Sequence, residues 1–326
     1  MIISRTPYRI SFFGGGTDYP GWYRENGGNV LSTTINKYSY ISCKKIPLIF
    51  NYKYRLRYFT TEEIQKINEI KHPSFRETLK FFDINDPLEL VHTGDLPAGT
   101  GLGASSAFTI GLVNTLHALN GEIVNKRQSA LEALKIEQDI IGEYVGSQDQ
   151  VACSFGGLNK ITFGGINEFL VSPLPISQNI LANLENHLVL LFTGFSRDSN
   201  VIIKDQVKNL KKNRSCLEEL DRQVVIAQNL LLNNNIEDFG KLLAEQWKIK
   251  KQLSDLISTE FIDQLYVKGM NVGAYGGKIL GAGSGGFILF IVKPDLRKKF
   301  ISAMNDLVHI PIRIDSLGSQ IVYYTN

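Results

Sequence analysis

Two hydrophobic rhythms alternate along the chain. Residues Asn29 to Ser42 are rich in β-branched side chains and contain the alternation Tyr38-Ser39-Tyr40-Ile41, the period-two pattern of a half-buried strand. Leu88 to Thr93 and His187 to Phe192 are short apolar runs that predict further strands, the second ended by Thr193-Gly194. Gly156 to Gly165 predicts a strand between glycine turns. Apolar residues spaced by three and four predict helices over Phe108 to Leu119, over Gln128 to Ile141, and over three later stretches around 199–211, 216–232 and 236–257. Thr61 to Lys71 and Ser74 to Phe82 predict two short helices. After Gly281 come a strand ending at Val292, a helix from Asp295, and short strands at Ile310 to Ile314 and Ile321 to Tyr324. Ser172-Pro173-Leu174-Pro175 punctuates the middle and predicts a connection between two halves. No repeat or low-complexity tract interrupts this order.

Composition narrows the class. The 326 residues suffice for one large or two ordinary domains. At 43% hydrophobic and 21% charged, the chain reads as a soluble globular protein. A net charge of +3 is too slight to argue for nucleic acid, and it suits anionic small molecules. Cys43, Cys153 and Cys216 are odd in number and lack metal-ligand spacing, which predicts reduced thiols in a cytoplasmic protein. Motif residues begin within a few positions of Met1, leaving no signal peptide to expect, and no apolar run reaches the ~20 residues of a membrane span. The five histidines are scattered without a zinc or triad pattern, and Trp22 and Trp247 read as packing residues.

The most informative stretch is Leu96-Pro97-Ala98-Gly99-Thr100-Gly101-Leu102-Gly103-Ala104-Ser105-Ser106-Ala107, immediately before an apolar helix. Glycines at that spacing let backbone N–H groups converge, and a helix start adds the positive end of its dipole, so the segment predicts an anion site, phosphate above all. Gly99 to Ala104 also fits G-x-G-x-x-[GA], as does Gly281 to Gly286. The first is followed by a second helical segment after Asn120-Gly121 and the second by a strand, so neither opens a dinucleotide-binding βαβ unit. No lysine follows the glycines, which excludes a Walker P-loop. Glu137 is a second clue. Its helical neighbours at three and four residues are Ala133, Leu134, Ile140 and Ile141, and a carboxylate on an apolar face needs a partner or a metal. An internal salt bridge satisfies that need; so does Mg²⁺, which prefers a few hard oxygen ligands.

Three more motifs complete the pattern: Pro7-Tyr8-Arg9-Ile10-Ser11-Phe12-Phe13-Gly14-Gly15-Gly16-Thr17-Asp18-Tyr19, Gly146-Ser147-Gln148-Asp149-Gln150, and Lys278-Ile279-Leu280-Gly281-Ala282-Gly283-Ser284-Gly285-Gly286-Phe287. With the glycine–serine loop, they resemble the GHMP kinases in order and rough spacing across nearly the whole chain. Within that superfamily the sequence is most similar to the D-glycero-D-manno-heptose 7-phosphate kinases.

The resemblance implies an α+β GHMP kinase fold, with an S5-like N-terminal domain over residues 1–175 and a ferredoxin-like C-terminal domain over 176–326, the site lying between them. It implies ATP and Mg²⁺ as cofactors. Pro97, Gly99, Gly101, Leu102, Gly103, Ala104, Ser105 and Ser106 would hold the nucleotide phosphates. Glu137 with Ser105 or Ser106 would hold the metal. Asp149, which alone would read as a helix cap in a glycine-led turn, becomes the general base. Arg9 becomes the cation that favours ionisation of the acceptor hydroxyl. Asp18 would receive sugar hydroxyls, beside Gly15, Gly16 and Thr17. Galactokinases place Glu-His where this chain has Gly15-Gly16, which opens the sugar end and argues against galactose. Gly281 to Phe287 would close the cleft by backbone approach near the transferred phosphate, with Gly283, Ser284 and Gly285 facing the substrate, and Arg197 would fork onto a phosphate carried by the substrate. The expected partners are ATP and a sugar phosphate, with a homodimer admitted and neither nucleic acid nor membrane. The expected reaction is phosphorylation of the anomeric hydroxyl of heptose 7-phosphate. Its rivals are a kinase of another sugar, such as fucose, and a catalytically silent sugar and nucleotide sensor. Retention of both Asp149 and Glu137 argues against silence. A nucleic-acid binder built on the S5-like half is disfavoured, since no basic and aromatic patch is concentrated anywhere.

Overall fold

In a computed structural model of the protein, residues 1–165, 168–194 and 199–325 are described. Their strands are, in order, β1 (Ile2–Phe13), β2 (Gly28–Lys45), β3 (Tyr54–Arg57), β4 (Thr61–Ile64), β5 (Leu88–Gly94), β6 (Leu158–Phe163), β7 (Phe169–Pro173), β8 (Leu188–Phe192), β9 (Ala274–Ile279), β10 (Phe287–Val292), β11 (Val308–Ile310), β12 (Ile314–Asp315) and β13 (Gln320–Tyr324). The helices are α1 (Pro20–Asn26), α2 (Pro73–Phe81), α3 (Ala104–Leu119), α4 (Lys126–Leu134), α5 (Gln148–Phe155), α6 (Gln178–His187), α7 (Ser199–Lys208), α8 (Arg214–Leu232), α9 (Ile236–Lys251), α10 (Glu260–Asn271) and α11 (Arg297–Ala303).

The strands form two sheets. The larger runs β13-β1-β2-β5-β3-β4, with β6 and β12 also pairing β2 and β7 pairing β6. The smaller is antiparallel, in the order β11-β8-β10-β9. The α+β class and the two sheets agree with the fold that the resemblance implies. The last strands return to the first sheet: Ile314 and Asp315 pair with Ile35 and Thr34, and Gln320 to Tyr324 pair with the start of β1. The sheets therefore do not divide the chain at residue 175, because residues 314–315 and 320–324 belong to the first sheet.

A continuous apolar cluster joins the two sheets. Tyr8, Ile10, Phe12 and Phe13 of β1 pack with Val224 of α8, Phe239 and Leu243 of α9, and Phe287 and Leu289 of β10. Phe239 meets the rings of Phe12 and Phe13 edge-on at 5.5 and 5.1 Å. The cluster fixes β1 against the second half, so the residues β1 carries have fixed neighbours across the cleft. Helix α3 is buried along most of its length and packs on β1 and β2. It therefore points its N-terminus at the cleft from a rigid base.

Three segments differ from the expectation. Thr61 to Lys71 is a short strand followed by a single 3₁₀ turn at Ile67–Glu69, not a helix. Its alternation decides this: Glu62 turns inward between exposed Thr61 and Glu63, and its carboxylate accepts the Tyr58 hydroxyl and the Lys71 and His72 N–H groups. The expected single helix Gln128–Ile141 is α4 followed by a π-helical turn over Lys135–Ile140. The wider turn rotates the faces, so Ala133, Leu134 and Glu137 are buried while Ile140 is exposed. Ile310 to Ile314 splits at Pro311, with β11 in one sheet and β12 in the other.

Candidate active site

The glycine–serine loop bends through three left-handed glycines, Gly99, Gly101 and Gly103, with φ of 70°, 85° and 71°; Gly103 is the N-cap of α3. Gly101 also permits a close contact. A Cβ there would lie 2.4 Å from the Leu280 carbonyl oxygen, so the first glycine loop presses directly on the second. The amide of Phe287 donates to the Thr100 carbonyl across the same seam (3.2 Å). Residues 99–106 and 281–285 thus form facing walls of one cleft, with Arg9, Gly15, Gly16, Asp18, Gln148, Asp149 and Lys250 between them.

Arg9 is the hub. Its Nε and Nη2 donate to Oδ1 and Oδ2 of Asp149, both at 2.7 Å, a bidentate pair. Its Nη1 donates to the Gly101 carbonyl (2.6 Å), and its own amide donates to the Leu102 carbonyl (2.9 Å). One side chain therefore fixes the strand, the loop and the acid relative to each other. The Arg9 side chain is nearly buried while that of Asp149 is 25% exposed, so the carboxylate is the cleft-facing member. Burial alone would lower the Arg9 pKa, but the adjoining Asp149 outweighs it and holds the guanidinium charged. Asp149 lies in the first turn of α5, not in an isolated loop turn.

Asp18 is buried behind Gly15 and Gly16. Its carboxylate accepts the amides of Gly16 (2.9 Å) and Gln148 (3.3 Å), and the Ser147 amide donates to its carbonyl. Burial raises its pKa above the usual carboxylate range, against the lowering effect of those amides. Gly146 makes the room, since a Cβ there would stand 2.0 Å from Asp18 Oδ2.

Glu137 lies behind Ser106 in the π-helical turn, fully buried. Its Oε2 accepts Ser106 Oγ (3.0 Å) and Gln150 Nε2 (2.5 Å), while its Oε1 has no hydrogen-bond partner. Burial raises its pKa to about 7, opposed by the nearby Thr109 hydroxyl, which itself donates to the Ser105 carbonyl (3.3 Å). A buried carboxylate with one vacant oxygen beside a hydroxyl fits a hard divalent cation. Of the two candidate serines, Ser106 is the one joined to Glu137; Ser105 is exposed at the cleft. Among the described residues no cluster of three or more His, Cys, Asp or Glu suits a metal. An ion held here needs most of its ligands from outside the chain.

Four expected contacts have other duties. Thr17 Oγ1 donates to the Gly14 and Asn29 carbonyls and braces the turn without lining the cleft. The Ser284 hydroxyl donates to the Leu256 carbonyl, away from the cleft, leaving Gly283 and Gly285 as the lining residues. Leu102 packs in the core, and the Pro97 carbonyl accepts the Thr100 hydroxyl. Arg197 lies outside the described residues. The sequence reading missed Lys250 on the cleft wall and Lys278 behind it; the latter is buried, with Nζ donating to the Phe12 carbonyl (2.9 Å). It also missed Gln150, which holds Glu137.

Family models agree with this geometry. The N-terminal domain model of the GHMP kinases matches residues 68–157, and the C-terminal model matches residues 227–309. The chain is similar to a D-glycero-alpha-D-manno-heptose 7-phosphate kinase of Campylobacter jejuni, 29% identical with 93% of each chain covered. It is similar to a galactokinase of Pyrococcus furiosus, 24% identical over 91% of this chain and 90% of that one. In structure it resembles a D-glycero-D-manno-heptose 1-phosphate kinase from Bacteriodes thetaiotaomicron, with a TM-score of 0.82 over all of both chains at 21% identity. Among the described residues no helix is long and apolar enough to cross a membrane. With both family models placed on the halves that form the two walls of the cleft, the chain belongs to the GHMP kinases, ATP-dependent phosphotransferases.

Proposed function

We propose that this kinase uses Mg²⁺-ATP to phosphorylate the anomeric hydroxyl of D-glycero-D-manno-heptose 7-phosphate, giving the 1,7-bisphosphate for nucleotide-activated heptose synthesis. The observation that carries the reading is the Arg9–Asp149 pair, set between an anion-binding loop and the open Gly15-Gly16 turn. Similarity to the Campylobacter jejuni enzyme supports the choice of sugar.

Phosphoryl transfer has a loose transition state, so alignment and charge neutralisation matter more than basicity. Asp149 orients the acceptor hydroxyl and takes its proton. Arg9 holds that carboxylate in place and offsets charge on the incoming oxygen. The backbone N–H groups of 99–106, at the start of α3, bind the nucleotide phosphates. Glu137 and Ser106 would hold Mg²⁺, which neutralises phosphate charge when bound. Asp18 receives sugar hydroxyls, and Arg197 pairs with the phosphate the substrate already carries.

The test is coupled ADP release across free and phosphorylated hexoses and heptoses. The expected result is turnover of the heptose 7-phosphate well above that of the free sugars. Equal turnover of a sugar and its phosphorylated form refutes a phosphate-carrying substrate. Preference for fucose or galactose moves the assignment to another sugar, and no release with any acceptor indicates a silent sensor.

A further inference from the structure

Lys250 is the lysine of α9 that turns inward and is buried, at 6% exposure, whereas Lys241 and Lys248 of the same helix face solvent. Its ammonium lies in the wall of the cleft, and its hydrogen bond among the described residues is to the Gly281 carbonyl (2.8 Å). No carboxylate forms an ion pair with it among those residues, so two of its three N–H donors are left for another acceptor. A buried ammonium with no carboxylate at ion-pair distance is costly, which makes an arriving anion its natural partner.

Its surroundings say which anion. Gly281 presses on Gly101 of the phosphate-binding loop, where a Cβ on Gly281 would lie 2.4 Å from the Gly101 Cα. On the other side, a Cβ on Gly15 would lie 3.8 Å from Lys250 Nζ and 3.7 Å from Gln148 Nε2. The ammonium therefore stands between the wall that holds the nucleotide and the turn that admits the acceptor. We infer that Lys250 is a catalytic residue whose ammonium donates to an oxygen of the γ-phosphoryl group of ATP. This rests on the kinase reading above. In the transfer, the acceptor oxygen forms its bond to phosphorus and the bond to the bridging oxygen breaks, its electron pair leaving on ADP. The acceptor proton passes to Asp149, and Lys250 keeps all its protons.

The electrostatics agree. Burial, then repulsion by Arg9, lowers the Lys250 pKa to about 8. The titratable groups facing it are Arg9 on β1, Asp18 in the following turn, Asp149 on α5 and Lys278 on β9. The ammonium is charged below that pH and is lost as pH rises through it.

The test is calorimetric titration of wild type, Lys250→Met and Lys250→Gln with Mg²⁺-ADP and with a non-hydrolysable Mg²⁺-ATP analogue. The expected result is a 10–100-fold loss of affinity for the triphosphate in both variants, with ADP affinity within twofold of wild type. Equal weakening of both nucleotides makes Lys250 structural and overturns the inference. So does no weakening. If the variants do not fold, the wild type decides: its preference for triphosphate over diphosphate should fall between pH 7 and 9, and a flat preference overturns the inference. Wild type that binds the triphosphate and turns over a different sugar refutes the assigned substrate and leaves Lys250 standing; turnover of no acceptor refutes the kinase reading and, with it, the catalytic role of Lys250. Wild type that binds neither nucleotide refutes the kinase reading, and this inference with it.

Discussion

Glu137→Gln separates a metal ligand from a structural acid. In the metal-free protein, burial holds Glu137 at a pKa of about 7 against an ordinary 4.5. Each pKa unit corresponds to about 1.4 kcal/mol, so ionising this carboxyl costs the folded state about 3 kcal/mol. The sign follows from the protons: between pH 4.5 and 7 the folded state holds a proton the unfolded chain has released. The stability it provides is present in full below pH 4.5 and is lost as pH rises through 7. Glutamine stays neutral throughout. Its oxygen can accept Ser106 and Gln150 as Oε2 does, while its NH₂ group takes the place of the unpartnered Oε1 and costs about 1–3 kcal/mol as a buried unsatisfied donor. At pH 8 the two effects nearly cancel or favour the variant, so it should fold. Urea titrations from pH 5 to 8, without metal or nucleotide, should show wild type losing about 2.5 kcal/mol more than Glu137→Gln over that range. Activity should fall sharply, and added Mg²⁺ should no longer strengthen nucleotide binding. Parallel pH profiles would refute the buried, unpaired carboxylate. Unchanged kcat and Mg²⁺ dependence would make Glu137 structural.

Asp149→Asn should lower kcat by about 10²–10⁴-fold with ADP affinity unchanged. It should also destabilise the fold by about 3 kcal/mol, because it strands the nearly buried Arg9 guanidinium; Arg9→Met should cost less, since water reaches the 25%-exposed Asp149. Urea denaturation of both variants checks the order, and the reverse order would overturn it; near-normal kcat in Asp149→Asn would refute its role as base. Gly146→Ala drives a methyl group to 2.0 Å from Asp18 Oδ2, so it should destabilise by about 1–3 kcal/mol and raise the sugar KM more than it lowers kcat, as steady-state kinetics would show. Arg197→Ala should raise KM for the phosphorylated sugar by about 10–100-fold, a charge-assisted contact of roughly 1.5–3 kcal/mol, and leave a free sugar's KM unchanged.

The parts of the site legible in the sequence are those where backbone geometry dictates composition. Three left-handed turns in five residues demand glycines, so Gly99, Gly101 and Gly103 announce the anion loop directly. Glu137 was legible because an acid among apolar helical neighbours breaks the pattern. Lys250 breaks it on a narrower face: it is three residues from buried Trp247 and Leu253 and seven from Leu243. The same test applied to α9 finds it, but flanking Lys248 and Lys251 make the segment look like a solvated cationic end. The missed strand β9 has another cause. Its Gly276 lies so close to α9 that a Cβ would fall 1.9 Å from the Gly240 carbonyl oxygen, so close packing put glycine where a strand former would have signalled. Thr61 to Lys71 misled because an inward-facing glutamate supplies the alternation that an apolar residue usually provides.

The pairing of β13 with β1 orders events in time. Ile2 to Arg5, on the strand that carries Arg9, find their outer neighbours only at Gln320 to Tyr324. During synthesis this edge has no partner from the chain itself until about 300 further residues have been made, roughly 15–60 s at 5–20 residues per second. Throughout that interval a row of unpaired backbone donors and acceptors is open to any passing strand. The nascent polypeptide thus carries an open sheet edge until residues 320–324 emerge, and a holdase that covers β1 should raise the yield of active enzyme without altering the stability of the finished protein.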